Sequence, residues 1–223
     1  MADPRFTIDE LSLAVRNHGM PMESLRYDIT PVGLHYLLSH YDMPHLEPEE
    51  WRVSIGGVVD LEYSVNLDEL QDLPAVTMQM TMECAGNGRI YYDPPIVSQP
   101  WLNNAVGNAE WTGTSLWPLL EKAGLRNDSA EILFSGADHG VNNGIEQTYR
   151  RSLSVAELQR AEVILAYGMN GQPLLPQHGS PVRLIVPGWY GMASVKWLTA
   201  IEVITTPSTH YMMKEAYIVP YGS

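Results

Sequence analysis

A single cysteine, Cys84, stands in a chain of 223 residues. One sulfur excludes an intramolecular disulfide and any zinc or iron–sulfur centre built from several cysteines. No C-x-x-C-H run occurs, which excludes covalently attached c-type haem. Basic side chains are also scarce. Lys plus Arg number 13 against 26 Asp plus Glu, a formal net charge of −13. A chain of that charge repels phosphodiester backbones and anionic lipid, so nucleic acid is not an expected partner. No stretch approaches the ~18 consecutive apolar residues of a membrane-spanning helix. The opening MADPRFTIDE has no apolar core, so the expected location is cytoplasmic, or periplasmic if a leader was removed. Neither a repeat of 20–50 residues nor a Ser/Gly linker divides the chain, and one domain over residues 1–223 is expected.

What is present is a globular composition, 45% apolar and 17% charged, with length enough to bury a substantial core. Residues 1–50 show little periodicity and read as loop laid over that core. WRVSIGGVVD, from Trp51, reads as strand, Gly-Gly turn and strand, and LDELQDLP as a short helix stopped by Pro74. AVTMQMTME alternates, with Val76, Met78, Met80 and Met82 on one face, and runs straight into Cys84. Thr114 is placed to cap a helix over SLWPLLEKAG that ends at Gly124. AEILFSGAD predicts a strand ending at Asp138, and Ser154 with Glu157 forms a capping-box pattern. VILAYGMNG, PVRLIVPG and the longer SVKWLTAIEVITT are further apolar strands. Strands outnumber the short helices, which predicts an α+β domain with a mixed, largely buried sheet.

Two stretches can carry chemistry. Cys84 ends a strand and precedes the turn Gly86-Asn87-Gly88-Arg89, where Arg89 and backbone N–H groups would favour a thiolate. Such a thiolate is either a nucleophile or a soft-metal ligand, and a small buried hydrophobe is the plain alternative. The second stretch holds His178, Arg183 and Lys196 within 19 residues, with Gly188 and Gly191 between them. It reads as an anion cradle in an acidic protein, or else as solvated strand ends.

E-C-A-G-N-G-R at 83–89 resembles the cysteine motif of the sulfite oxidase family of molybdenum enzymes. HGSPVRLIVPGWYGMASVKWLTAIEV at 178–203 resembles that family's second signature, and 108–124 and 165–174 follow its pattern. The likeness runs in order over roughly residues 30–220. It implies the family's molybdopterin-binding fold, of α+β class with mixed β-sheets and short helices. It also implies a cofactor of molybdenum with one pyranopterin dithiolene (molybdopterin), with Cys84 as the protein's ligand to the metal. Tyr36, His40, Asp138, His178, Arg183, Ser194 and Lys196 fall on family positions that hold the cofactor. Arg89, Trp101 and Tyr217 match the arginine, tryptophan and tyrosine around the reacting centre. Leu38 stands where relatives carry an arginine, and Ala216 where they often carry an acid. The family's C-terminal immunoglobulin-like dimerisation domain, which holds a further arginine, has no counterpart in the sequence.

The function the resemblance implies is oxygen-atom transfer to or from a small sulfur or nitrogen compound, with electrons exchanged with a separate partner. A small-molecule substrate less charged than sulfite is expected, unless Arg150 or Arg151 in a YRRS loop supplies the missing cation. Two alternatives stay open: a cofactor-binding or carrier module of reduced activity, and a cysteine hydrolase with Cys84 as nucleophile and His178 or His40 as base.

Overall fold

The computed structural model of the protein describes residues 17–96, 98–142, 144–214 and 217. In chain order the strands are β1 (Arg52–Gly57), β2 (Tyr63–Asn66), β3 (Ala75–Glu83), β4 (Val106–Ser115) and β5 (Glu131–Asn142). They continue as β6 (Ile145–Ser154), β7 (Ile164–Met169), β8 (Gln172–Pro173), β9 (Arg183–Ile185) and β10 (Leu198–Ile204). One sheet has the order β2-β1-β10-β5-β6, and the other the order β3-β4-β7-β8 with β9 also on β7. β1 and β10 are parallel and the other pairings antiparallel. Four short helices accompany them: α1 (Leu67–Gln71), α2 (Leu116–Ala123), α3 (Val155–Arg160) and α4 (Tyr211–Lys214). The fold is α+β, as the sequence predicts.

Alternation across the second sheet divides the interior in two. Leu165 on β7 and Leu184 on β9 face a large core shared with the first sheet and α2. Their neighbours Ile164, Ala166 and Ile185 face the other way, with Met80, Met82, Trp111 and Cys84. Residues 17–50, with two 3-10 turns at Met22–Arg26 and Val32–Leu34, close this second face. They are pinned there by Met20 N–H to the Asn104 carbonyl (2.7 Å) and Thr30 N–H to the Asn108 carbonyl (2.8 Å). Residues 1–16 lie outside the described part.

Several local expectations are corrected. Gly56 and Gly57 finish β1 rather than forming a hairpin turn, and β2 starts only at Tyr63. Ser115, not Thr114, is the N-cap of α2, because the Thr114 hydroxyl donates to the Leu70 carbonyl (2.9 Å). Asp138 does not end its strand: β5 runs on to Asn142, with a register shift between Ser135 and His139. β10 begins at Leu198, so Ser194 and Lys196 precede the strand, after a 3-10 turn at Gly191–Ala193. Arg150 and Arg151 lie in strand β6, not in a loop. The Ser154–Glu157 capping box forms as predicted.

Candidate functional site

Cys84 follows the last residue of edge strand β3. Its N–H donates to the Ala105 carbonyl (2.9 Å), so the cysteine backbone is still tied to the neighbouring chain. Asn87 fixes the turn beyond it. The Asn87 Oδ1 accepts from Ala105 N–H (3.0 Å) and its Nδ2 donates to Glu83 (3.0 Å). At Gly86 the Arg89 guanidinium packs against the turn, 2.3 Å from where a Cβ would stand, so a larger residue would displace that side chain. The E-C-A-G-N-G-R run is thus a self-tied platform that presents one sulfur.

That sulfur opens onto a cavity of about 640 Å³ of empty space, open mouth included. The cavity brings together nine of the residues singled out in the sequence: Tyr36, His40, Cys84, Asp138, His178, Arg183, Ser194, Lys196 and Tyr217. The segment before β1, the β3 terminus, the bulge of β5 and the stretch from 178 to 196 all converge there. A Cβ at Gly191 would stand 2.3 Å from the Tyr36 hydroxyl, so this glycine lets the aromatic wall close.

Arg183 is buried and lies 4.9 Å over the Trp111 ring, donating to the carbonyls of His178 (3.1 Å) and Ser194 (2.9 Å). Burial lowers it to about 10, and its Nε has no partner among the described residues. The Lys196 ammonium donates to Ser39 Oγ (2.8 Å) and the Gln177 carbonyl (3.0 Å). Asp138 is buried with one carboxylate oxygen unpartnered among the described residues, and burial raises it to about 7 against the opposing pull of Lys196. Burial keeps His178 neutral, lowered to about 3, and its Nε2–H donates to the Val32 carbonyl (3.3 Å). The Ser194 hydroxyl accepts from Val186 N–H (3.1 Å).

Tyr217, His40, Tyr149, Leu38 and Met192 line the same cavity. His40 Nε2 and the Tyr217 hydroxyl are 2.5 Å apart, and the His40 ring stacks on Tyr149 at 5.5 Å. His40 is exposed by surface area though protein surrounds it, because its open surface faces the cavity.

Two expected residues stand behind the wall rather than in it. Arg89 is half-buried and turned toward its own loop, donating through Nη1 to Ser98 Oγ (2.8 Å) and the Gln99 carbonyl (3.1 Å). Trp101 is buried in the apolar cluster of Cys84, where its indole favours the thiolate without making a full hydrogen bond. The expected thiolate is also corrected for the protein alone. Burial raises the Cys84 thiol, outweighing the Gly86 N–H (3.4 Å) and the Arg89 charge.

The sequence reading missed His35, Tyr149, Met82 and Trp111. His35 lines the cavity, fully buried, with burial lowering it to about 4 and Nε2 unpartnered among the described residues. Its proximity to Tyr36 was the available signal. Trp111 sits in the N-A-E-W-T-G-T pattern, but only the structure shows it under Arg183.

Comparison with known proteins places this arrangement. Residues 40–212 match the family described as oxidoreductase molybdopterin binding domain. Mitochondrial sulfite oxidase of Rattus norvegicus is 34% identical over 196 residues, which is 85% of this chain and 35% of that protein. The NADH nitrate reductase of Ulva prolifera is 32% identical over 190 residues, 82% of this chain and 22% of the relative. The chain therefore spans about a third or less of the length of these relatives. The crystal structure of the sulfane dehydrogenase SoxCD from Paracoccus pantotrophus superposes with a TM-score of 0.74 at 23% identity, over 95% of this chain and 56% of that one. No helix among the described residues is long and apolar enough to cross a membrane. With its cysteine platform, basic wall and two-sheet frame matched over well more than half its length, this chain belongs to the oxidoreductase molybdopterin binding domain family.

Proposed function

We propose that this domain holds molybdopterin in the cavity and transfers an oxygen atom to or from a small, weakly charged sulfur or nitrogen compound. The observation that supports it is the convergence of Cys84, Asp138, Arg183 and Lys196 on one cavity. The donor set fits the group. Among the described residues no cluster of three or more His, Cys, Asp or Glu can hold a bare ion, so a metal here needs ligands brought with it. A dithiolene supplies those, and Cys84 adds a third soft sulfur. The Arg183 Nε and the unpartnered Asp138 oxygen are a donor and an acceptor left for a polar ligand.

When bound, the group supplies two-electron redox chemistry and oxygen-atom exchange. The chain's part is positioning and charge. Cys84 would hold the metal, and the charge of a bound metal would favour the thiolate that burial alone disfavours. Arg183 and Lys196 hold the phosphate, with His178 and Ser194 shaping that end and Tyr36 the aromatic wall. Asp138 accepts from the pterin edge. Tyr217, with Leu38 beside it, faces the substrate. Trp101 and Arg89 buttress the cysteine turn from behind. Electrons pass to or from a separate partner.

A cysteine hydrolase would need an imidazole on the thiol. His40 and His178 are instead engaged with Tyr217 and the Val32 carbonyl. Metal and pterin analysis of the purified protein tests the reading, together with turnover against a panel of sulfur and nitrogen compounds using a redox dye. Near-stoichiometric molybdenum with turnover is expected. Protein free of metal and pterin, or loaded protein without turnover, overturns it.

A further inference from the structure

The loop that follows the cysteine turn, from Arg89 to Leu102, is unlike the rest of the surface. Fifteen large apolar side chains are exposed among the described residues, and five of them, Ile90, Tyr91, Tyr92, Ile96 and Leu102, fall on this one loop. Tyr91 and Tyr92 are 67% and 60% exposed. Apolar residues scattered singly are ordinary on a surface, whereas a cluster of them marks an interaction site. The loop is also held in shape. Gly88 N–H donates to the Leu102 carbonyl (2.8 Å) and Ile90 N–H to the Trp101 carbonyl (3.1 Å), so its two ends run side by side. Pro94, Pro95 and Pro100 restrict the span between them. Tyrosines on such a frame offer broad contact area at a low cost in side-chain entropy.

Two further observations say what the loop meets. The first is its place beside the cysteine. Trp101 is buried in the apolar cluster of Cys84, while its sequence neighbour Leu102 is 49% exposed. The chain thus passes from the surroundings of the sulfur to solvent within one residue. The second is charge. The segment at 22–28 is pinned alongside through Met20 N–H and the Asn104 carbonyl (2.7 Å). On this segment, the Glu83 turn and the loop, the exposed carboxylates are Glu23, Asp28, Glu83 and Asp93, and the exposed cation is Arg26. Arg89 is turned inward to Ser98 and Gln99.

We propose that this surface docks the electron partner, a small basic protein that carries a one-electron redox centre close to an apolar face. The carboxylates attract and orient a basic partner before contact, and the tyrosines supply the apolar centre on arrival. Electron transfer slows exponentially with distance, which favours the surface next to the residue that would hold the metal. A second copy of this chain would set carboxylates against carboxylates, and anionic lipid would be repelled in the same way. Oxidation of one substrate molecule with the oxygen of water releases two electrons and two protons. Two partner molecules take one electron each in successive visits, and the protons go to solvent; reduction of an oxide runs these steps backwards. Such contacts are small and transient. This inference rests on the function proposed above.

The test uses the purified holoprotein, with molybdenum and pterin contents measured first. The protein is reduced with stoichiometric dithionite, so no substrate need be known, and mixed by stopped flow with ferric cytochrome c as the basic probe. The second-order rate should fall at least tenfold between about 10 and 300 mM salt. Cytochrome c with succinylated lysines keeps the haem but reverses the charge, and should react at least roughly tenfold more slowly. Tyr91→Ser with Tyr92→Ser should lower the rate roughly tenfold, and Glu23→Lys with Asp93→Lys should lower it as much and flatten its salt dependence. Leu61→Ser, which removes an exposed apolar side chain between β1 and β2, should leave it unchanged. A small dye should reoxidise every variant at the wild-type rate. Wild-type rates in both loop variants, an equal loss in Leu61→Ser, or an equal rate with the succinylated probe overturns the proposal. So does a dimer in sedimentation that the tyrosine variant dissolves, which would give the face to a second copy. If the tyrosine variant fails to fold, the charge variant decides. Protein without molybdenum and pterin would defeat the proposed function, while titration with cytochrome c at low salt still judges the surface: wild-type affinity in both loop variants overturns it there.

Discussion

The guanidinium of Arg183 lies over the ring of Trp111, 4.9 Å from its centre, in the interior of a protein with net charge −13. The pairing shows how the chain maintains a buried cation without a carboxylate beside it. The indole face attracts the charge, and the carbonyls of His178 and Ser194 take the guanidinium N–H groups. A nearby carboxylate would neutralise the cation before any phosphate could. With carbonyls and an aromatic face instead, the positive field remains available to a ligand.

Cofactor retention should follow from that design. Replacing Lys196 with Ala removes one charge-assisted contact, worth about 1.5–3 kcal/mol, and should weaken pterin retention roughly ten- to a hundredfold. Arg183→Ala should cost the same and also lower thermal stability, because two buried carbonyls lose their donor. Arg183→Lys should not rescue, since an ammonium cannot fork to both carbonyls while stacking on Trp111. Pterin fluorescence after exhaustive dialysis measures this. Full pterin content in the double Ala variant would show that the phosphate is held elsewhere.

Cys84→Ser exchanges a soft sulfur for a hard, weakly acidic hydroxyl while keeping the turn tied through Asn87. The pterin should stay, held by its phosphate, and thiolate-to-metal charge-transfer absorption and turnover should vanish. Absorption spectra and dye-coupled rates equal to those of the wild type would remove Cys84 from the metal.

The cofactor-free protein should lose stability in acid, with opposing contributions that can be separated. His35 and His178 have folded pKa values depressed to about 4 and about 3 by burial. Their contribution is present above 6.5 and is lost as pH falls toward those values. Asp138 is raised to about 7 by burial, so its contribution is present below its usual value near 4 and is lost as pH rises through 7. His40 is lowered to about 4 in the same way, so between about pH 6 and 4.5 the unfolded chain binds more protons than the folded one and stability falls as the pH is lowered. Asp138→Asn removes the opposing proton and should steepen that fall. Denaturant unfolding at three pH values checks it, and a flat profile in both proteins would show that these groups are not desolvated as described.

The frame of this site was legible where chemistry is local. Alternation from Val76 to Met82 dictated β3, and Cys84 with its Gly-Asn-Gly turn declared a strand-end platform before any coordinates. What failed was what only tertiary contact decides. Two successive arginines break the alternation of β6, yet Arg151 is buried because its guanidinium reaches the Met212 carbonyl and the Tyr217 ring. Asp138 looked like a strand end because nothing local reveals a bulge that is set by the β6 partner. The family resemblance puts Arg89 at the reacting centre, but local sequence does not reveal which loop packs on it. The loop through Ser98 and Gln99 folds back and takes its guanidinium.

Wild-type protein should be a poor sulfite oxidant, and Leu38 is the residue to change. Leu38 lines the cavity on the segment that also carries Tyr36 and His40. Arg89 is bound to its own loop and Arg151 to the Met212 carbonyl behind Tyr217. The cations that do line the cavity, Arg183 and Lys196, are the ones proposed above to hold the cofactor's phosphate. A sulfite dianion would therefore surrender its water without an arginine in return, and uncompensated desolvation of a charge is costly. Leu38→Arg adds a guanidinium to the wall. One charge-assisted contact of about 1.5–3 kcal/mol should raise kcat/KM for sulfite roughly ten- to a hundredfold, mostly through KM, at unchanged molybdenum content. Leu38→Met, similar in volume and uncharged, should leave the sulfite rate as it was. Steady-state kinetics with an artificial acceptor checks both. A low-micromolar KM with rapid turnover in the wild type would show that another cation already serves the anion.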